Sequence, residues 1–342
     1  MASTPDRQVK LEDLARYAGV SVSTVSRALT SHPAVNVETR DRIAALALEH
    51  GYTPAPRRAR TAPSPDSLTG ISVVLAPALQ AVPRPFDPFS LALIGGIGAA
   101  MRERGLPLTI SPAVPDDRAS LSRMLEADRS EGLIMFGQRE LHTALNELAR
   151  TSRPFVVWGA DAPDQLYCSV GSDNLRGGQR ATSHLLRLGR LRPAFIGTVS
   201  TIELQQRRQG YVTAMEEAGL DIDPMMMREC ALDPGAAMEV VDDMLDRGVT
   251  MDSIVAASDL VALGAIRALA RRGMRVPEDV AVVGYDDIEI AEHAHPSLTT
   301  IRQDTGKAGR LLVGKLMSML EGNRPGSERL PTELIVRESC GA

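Results

Sequence analysis

Cysteine is scarce, with Cys168, Cys230 and Cys340 the only three in 342 residues. They are odd in number, far apart and form no CxxC pair, so neither a disulfide framework nor a zinc site is expected, and a reducing compartment fits. Aromatic residues make up 3% of the chain, too few for the stacking platforms that hold single-stranded nucleic acid. No uncharged apolar run approaches the ~20 residues of a membrane span. The start, MASTPDR, lacks the apolar stretch of a secretory signal. A cytoplasmic protein without membrane association is therefore expected. Neither GK[ST] nor the nucleophile elbow GxSxG occurs. Gly95-Gly96-Ile97-Gly98 lies inside a helical pattern and reads as a close helix contact, not a phosphate loop. His293 and His295 lack partner ligands at metal-binding spacing and precede Pro296, so surface histidines are expected. No cofactor, metal or catalytic residue follows from these patterns, and no enzyme is expected.

What is present is a soluble composition, 44% apolar and 24% charged, and a length that suits two or three domains. Charge is unevenly placed. Residues 1–62 carry nine Lys/Arg against six Asp/Glu, while the other 280 carry 29 against 37. A small basic head on an acidic body points to an anionic partner for the head.

Within the head, Leu11, Leu14, Ala15 and Ala18 recur at helical spacing. Gly19 supplies a stop and a tight corner. Ser21 then caps a second helix, Val22 to about Leu29, with Val25, Ala28 and Leu29 inward and Val22, Ser23, Ser26 and Arg27 outward. Asn36 caps a third, VETRDRIAALALEH, which ends at Gly51. Three helices with so short a first turn follow the helix-turn-helix plan. The outward face of the second helix is small and polar, so its backbone can lie deep in a major groove. There Ser21 and Ser26 suit phosphates or base edges, Val22 a thymine methyl, and Arg27 a guanine or phosphate. A three-helix unit with a solvated polar face has the same periodicity and stays open on these residues alone.

The run AGVSVSTVSRAL, followed by VxxxTRxRI and GYxP, resembles the DNA-binding head of the lactose-repressor/galactose-repressor (LacI/GalR) family. The resemblance implies contacts to double-stranded operator DNA from Leu11, Ser21, Val22, Ser23, Thr24, Ser26, Arg27 and Thr30. Lys10 stands where the family has a threonine cap, and lysine has no acceptor to offer. Residues 54–67, PAPRRARTAPSPDS, form a proline- and arginine-rich connector. The family uses this stretch as a hinge helix whose leucine wedges into the minor groove. Here Thr61 or Ala62 takes that place, and neither wedges like leucine. Arg57, Arg58 and Arg60 are candidates for phosphate or minor-groove contacts, beside the alternative of a solvated basic tether.

From residue 70 strand and helix patterns alternate: TGISVVLAP, LPLTIS, EGLIMFG, RPFVVWG, LRPAFIG, DSIVAAS and DVAVVGY are apolar strands between helices. This predicts parallel sheets covered on both faces, in two lobes, with a ligand crevice at the carboxyl ends of the strands. SDNLRGGQRATSHLLRLG, RRQGYVTAMEEAGL and VAVVGYDD extend the family resemblance over the body. The fold class expected is thus an all-α helix-turn-helix head plus an α/β two-lobed body like periplasmic binding proteins. The expected domains are residues 1–54 for the head, 55–69 for the hinge and 70–342 for the effector-binding and dimerisation domain. Within the last, the N-lobe takes about 70–170 plus 303–330 and the C-lobe about 172–300 plus 332–342. Lobe crossings are placed near 169–172, 299–304 and 329–333, and helices 90–104 and 305–321 are candidates for a homodimer interface, with a tetramer possible.

By position in the family, Asp286 and Arg207 are implied to clamp a small-molecule effector, a sugar or sugar derivative. Phe89 and Trp158 would supply an apolar wall and a stacking face, Gln303 a contact from a crossing, and Ser258 a contact where the family often has asparagine. Gly159 replaces an aspartate of some sugar-binding members. The function expected is a sequence-specific transcriptional regulator, a repressor by family likeness, with a transport-type solute-binding protein as the alternative.

Overall fold

A computed structural model describes residues 11–29, 36–49, 70–75, 87–138 and 141–342. Contacts divide the chain into a first unit, 1–64, and a second, 65–342.

The first unit contains α1 (Leu11–Ala18), α2 (Val22–Leu29) and α3 (Val37–Glu49). Gly19 takes φ +65°, the left-handed conformation that turns the chain tightly between α1 and α2. The Ser21 hydroxyl accepts from the Thr24 amide at 3.2 Å, and the Asn36 side chain accepts from the Thr39 amide at 2.8 Å, so both expected caps form. Leu14, Val25 and Ile43 are fully buried at the centre, with Ala15, Ala28 and Ala47 around them. Thr30, Arg57, Arg58, Arg60, Thr61 and Ala62, expected at the DNA or in the hinge, lie outside the described residues, as do the side chains of Leu11, Ser26 and Arg27.

The second unit is α/β. It runs β1 (Ile71–Val74), α4 (Pro88–Arg102), β2 (Leu108–Ile110), α5 (Arg118–Ala127), β3 (Gly132–Phe136), α6 (His142–Leu148), β4 (Phe155–Trp158) and β5 (Ser169–Ser172). It continues as α7 (Asn174–Arg187), β6 (Pro193–Ile196), α8 (Ile202–Glu217), β7 (Met227–Arg228), α9 (Pro234–Asp246), β8 (Ser253–Ala256), α10 (Asp259–Arg271), β9 (Ala281–Asp286), α11 (Glu289–His293) and β10 (Thr299–Arg302). The chain then adds α12 (Thr305–Leu320) and β11 (Glu328–Leu330) to the first lobe and β12 (Glu333–Ile335) to the second. The sheets are ordered β11-β5-β4-β3-β1-β2 and β12-β10-β9-β8-β6-β7. All pairs are parallel except β10–β12. Central strands are buried along their whole length because helices cover both faces, which explains their unbroken apolar runs. Asp, Ser or Thr side chains cap the starts of α4, α5, α7, α8, α9, α10 and α12.

The segment 169–172, expected as a crossing, is itself a strand of the first sheet, and the chain leaves that sheet only after Ser172. Gly171 permits this. A Cβ there would collide with the Gly159 carbonyl, so only glycine lets β5 lie this close to the chain leaving β4. The chain passes between the sheets again at 303–304 and 331–332. The glycine run of α4 is a close helix contact, as read: a Cβ on Gly96 would strike the Thr305 carbonyl of α12.

A second close pair positions the site described below. Gly178 of α7 leaves no room for a Cβ against the Arg207 carbonyl of α8, and Gly210 of α8 leaves none against the Leu175 carbonyl. Gly178→Ala is therefore expected to lower unfolding stability by about 1–3 kcal/mol through overpacking. Denaturant titration checks this, and an unchanged midpoint would show that the two helices part easily.

Candidate functional site

In the first unit, the start of α2 gathers three hydroxyls. Ser21 Oγ lies 2.8 Å from both Ser23 Oγ and Thr24 Oγ1, and Ser21 and Ser23 are exposed. Val22 is 43% exposed beside them. A helix start with clustered, exposed hydroxyls and a protruding methyl pair is chemically suited to a phosphate and a base edge. Tyr17, near the end of α1, is half-exposed and was not singled out from the sequence. A lone aromatic on a polar helix face was its only signal.

In the second unit, the strand ends converge on Asp286, the last residue of β9. Asp286 has φ +116° and Asp287 φ +57°, both in the region that side chains rarely occupy. The turn is held from several directions. Arg302 Nε donates to Asp287 at 2.7 Å, Arg337 pairs with Asp287 at 2.8 Å, and the Ile288 amide donates to Asp259 at 2.9 Å. Non-glycine residues in such a conformation persist only where their surroundings over-determine them, and they cluster at ligand clamps.

Asp286 Oδ1 accepts from Gln303 Nε2 at 2.7 Å and from Arg207 Nη1 at 3.3 Å. Arg207, 7% exposed, also donates through Nε to Asn174 at 2.9 Å and through Nη1 to the Ala257 carbonyl at 2.7 Å, and its guanidinium lies 3.7 Å over the Tyr285 ring. The structure thus brings Arg207, Asp286 and Gln303 into one network. Among the described residues, neither Asp286 Oδ2 nor Arg207 Nη2 has a hydrogen-bond partner. One strong acceptor and one strong donor remain on these two paired groups, a pattern that matches adjacent hydroxyls on a ligand. Burial pushes the Asp286 carboxyl up to about 6 against the pull of Arg207, and the Asp87 charge adds to the rise. Asp259, fully buried behind it, is held well above the usual carboxylate range by burial and by the Asp286 charge.

Phe89, on the first turn of α4, packs against the core clusters of both lobes and lies 5.9 Å from the Trp158 ring. These two rings form an apolar wall. Ser258, 3% exposed, caps α10 by accepting from the Val261 amide at 3.3 Å, which leaves its hydroxyl proton and one lone pair to offer a ligand. Gly159 sits against Gln138, and a side chain there would collide with the Gln138 amide oxygen, which is buried and unpartnered. The neighbouring Ala160 amide donates to Glu203 of α8 at 2.9 Å, a direct bond between lobes. Asn174, Tyr285, Asp87, Gln138 and Glu203 were missed in the sequence. Tyr285 adjoins Asp286 and Asp87 carries the Asp-Pro mark of a helix start, but nothing local marks Asn174, Gln138 or Glu203, which matter through partners distant in the chain.

Two family models match the chain: bacterial regulatory proteins of the lacI family over residues 10–55, and a periplasmic binding protein-like domain over residues 182–340. The HTH-type transcriptional regulator CelR of Thermobifida fusca is 32% identical over 97% of this chain and 98% of its own length. The HTH-type transcriptional repressor CytR of Escherichia coli (strain K12) is 29% identical over 100% of this chain and 99% of its own. Among solved structures, a transcriptional regulator CelR–cellobiose complex matches with a TM-score of 0.70 at 31% identity, covering 97% of this chain and all of that one. A lac repressor dimer bound to operator and the anti-inducer ONPF matches with a TM-score of 0.70 at 26% identity, covering 98% and 100%. With a relative above 30% identity along almost the full length of both chains, a helix-turn-helix head and a two-lobed α/β body, this protein belongs to the LacI family of bacterial regulatory proteins.

Proposed function

We propose that this chain is a cytoplasmic, sequence-specific transcriptional repressor without enzymatic activity. It binds a near-palindromic operator as a homodimer and is controlled by a sugar-like effector held between the lobes. Two-fold related half-sites call for a two-fold dimer. Leu91, 52% exposed on α4, is apolar surface on one of the two helices proposed for that interface. Head contacts come from Leu11, Ser21, Val22, Ser23, Thr24, Ser26, Arg27 and Thr30, with Arg57, Arg58 and Arg60 on the backbone. Among the described residues no helix is long and apolar enough to cross a membrane.

The observation that carries the effector reading is the pair of unpartnered atoms, Asp286 Oδ2 and Arg207 Nη2. An acceptor beside a donor, next to the Phe89–Trp158 wall, holds a polyhydroxylated ring by its edge and its face. Gln303 steadies the carboxylate, and Ser258 contributes its proton. The CelR complex with cellobiose supports a sugar of this kind. A thermal-shift screen of mono- and disaccharides tests the reading, since a ligand that binds only the folded state raises its melting temperature. A nucleoside hit with no sugar hit would reassign the ligand class.

The raised Asp286 carboxyl adds a pH signature. Its affinity for hydroxyl donors requires the ionised form, which is lost as pH falls through about 6. Sugar binding is expected to be about tenfold weaker at pH 5 than at pH 7. Calorimetry at the two pH values checks it, and tighter binding at pH 5 contradicts it.

A further inference from the structure

We infer that the arginine-bearing face of α7 is a second ligand site, for a small phosphate-bearing molecule. Arg176, Arg180, Ser183 and Arg187 recur at helical spacing and form one stripe, and all three arginines are exposed. Several exposed arginines of this body pair with carboxylates: Arg247 with Asp243, Arg272 with Asp242 and Asp246, Arg275 with Asp279. Here, among the described residues, none of the three does. Arg176 reaches the Gln179 amide oxygen at 3.0 Å, Arg180 donates to the Thr332 carbonyl, and the Arg187 side chain has no hydrogen-bond partner. Three unneutralised cations on one helix face repel each other. They also stand on a body whose overall balance is acidic.

The stripe does not lie on a flat surface. With Asp173 and Pro331-Thr332 it lines a cavity of about 450 Å³, within the range that takes a small metabolite. Thr332 supplies an independent pointer. It is 4% exposed, lines the cavity, and its Oγ1 is buried without a hydrogen-bond partner. A buried hydroxyl left in this state is costly, and a ligand oxygen would satisfy it once a small shift of the Pro331-Thr332 segment uncovers it. The one acid in the lining, Asp173, is committed as the cap of α7, accepting from the Arg176 amide at 3.1 Å.

Phosphate fits this donor set better than a carboxylate does. Its terminal oxygens can take a two-pronged guanidinium and a hydroxyl from different directions. From Arg176 to Arg187 the stripe is roughly 16 Å long, at 1.5 Å per residue. That exceeds a bare phosphate ion and favours a phosphorylated small molecule. The concavity disfavours the phosphates of a duplex.

The site lies over two of the passages between lobes. Asp173 directly follows β5, and Pro331-Thr332 joins β11 to β12. The next residue, Asn174, reaches Arg207. A ligand bridging these segments binds one lobe arrangement in preference to another, and so couples to the cleft.

Calorimetric titration of the full-length protein tests this, with glucose 6-phosphate and inorganic phosphate as probes, glucose as the neutral control, and chloride holding ionic strength constant. Glucose 6-phosphate is expected to saturate below about 10 mM. Arg180→Gln/Arg187→Gln should weaken it about thirtyfold or more and Thr332→Val about threefold or more. Arg267→Gln, at an exposed arginine of α10 outside the lining, should leave it within about twofold. Arg187→Gln alone serves if the double variant folds poorly, since its side chain holds no bond. No saturable binding, binding insensitive to the arginines, or equal binding of glucose overturns the assignment. So does an equal loss on Arg267→Gln, which would make the arginine effect one of general charge. Should the double variant in ligand-free form lose more than about tenfold in duplex affinity, the stripe serves DNA phosphates and the small-ligand site is wrong.

Discussion

Asp286→Ala is expected to raise the effector concentration needed for a half-maximal response by about 100-fold, while operator affinity without effector stays within about threefold. Two losses combine. The ligand loses its charged acceptor, Oδ2, and Arg207 loses the counter-charge at 3.3 Å that helps aim its free Nη2. Arg207 still has Asn174 and the Ala257 carbonyl, so the body should stay folded. Asp286→Asn is the sharper variant because an amide can keep a bond to Gln303 while removing the charge. Operator titration with and without effector reads both quantities. Coupling between the sites is typically ~1–3 kcal/mol, or about 5–150-fold in operator affinity, so its loss is easily measured. A normal response in Asp286→Asn would remove this carboxylate from the pocket.

Arg27→Ala is the counterpart in the head. The sequence pattern puts residue 27 on the side of α2 away from Val25 and Ala28, which the structure buries. An arginine there can reach guanine or a phosphate next to the Ser21–Ser23–Thr24 hydroxyl cluster. Operator affinity should fall by more than about tenfold, with dimerisation and effector affinity unchanged. Band shift and analytical ultracentrifugation separate these readouts. Equal affinity in the variant would refute the contact.

Much of this architecture was legible before any coordinates, because it rests on local chemistry. Gly19, Ser21 and Asn36 announce the corner and the caps of the head, and apolar runs announce strands buried on both faces. Asp286 and Arg207 could be placed by their motifs, and they meet. A lobe passage was expected near 169–172 and follows directly after it, but that the segment is itself a strand was not legible. Ser-Val-Gly-Ser carries little β signal, and it is a strand because β4 and β11 flank it and Gly171 fits beneath the Gly159 carbonyl. Asn174 and Glu203 were invisible for a related reason: their roles come from Arg207 and Ala160 across the fold. The left-handed turn at Asp286-Asp287 was hidden too, since aspartate does not advertise a positive φ as glycine does. The Arg176–Arg180–Arg187 stripe is plain in sequence, but only the Thr332 segment turns it into a cavity.

The central claim is that the head grips a duplex electrostatically and the cleft sets how firmly. The most direct test titrates the full-length protein against duplex DNA from its own upstream region across a salt series, with and without the sugar found by thermal shift. If six to ten phosphates are neutralised, affinity should fall by about 10³–10⁵ between 50 and 200 mM salt. The sugar should displace the whole curve at every salt concentration. No duplex binding at the lowest ionic strength, or a curve that the sugar leaves in place, would contradict the account.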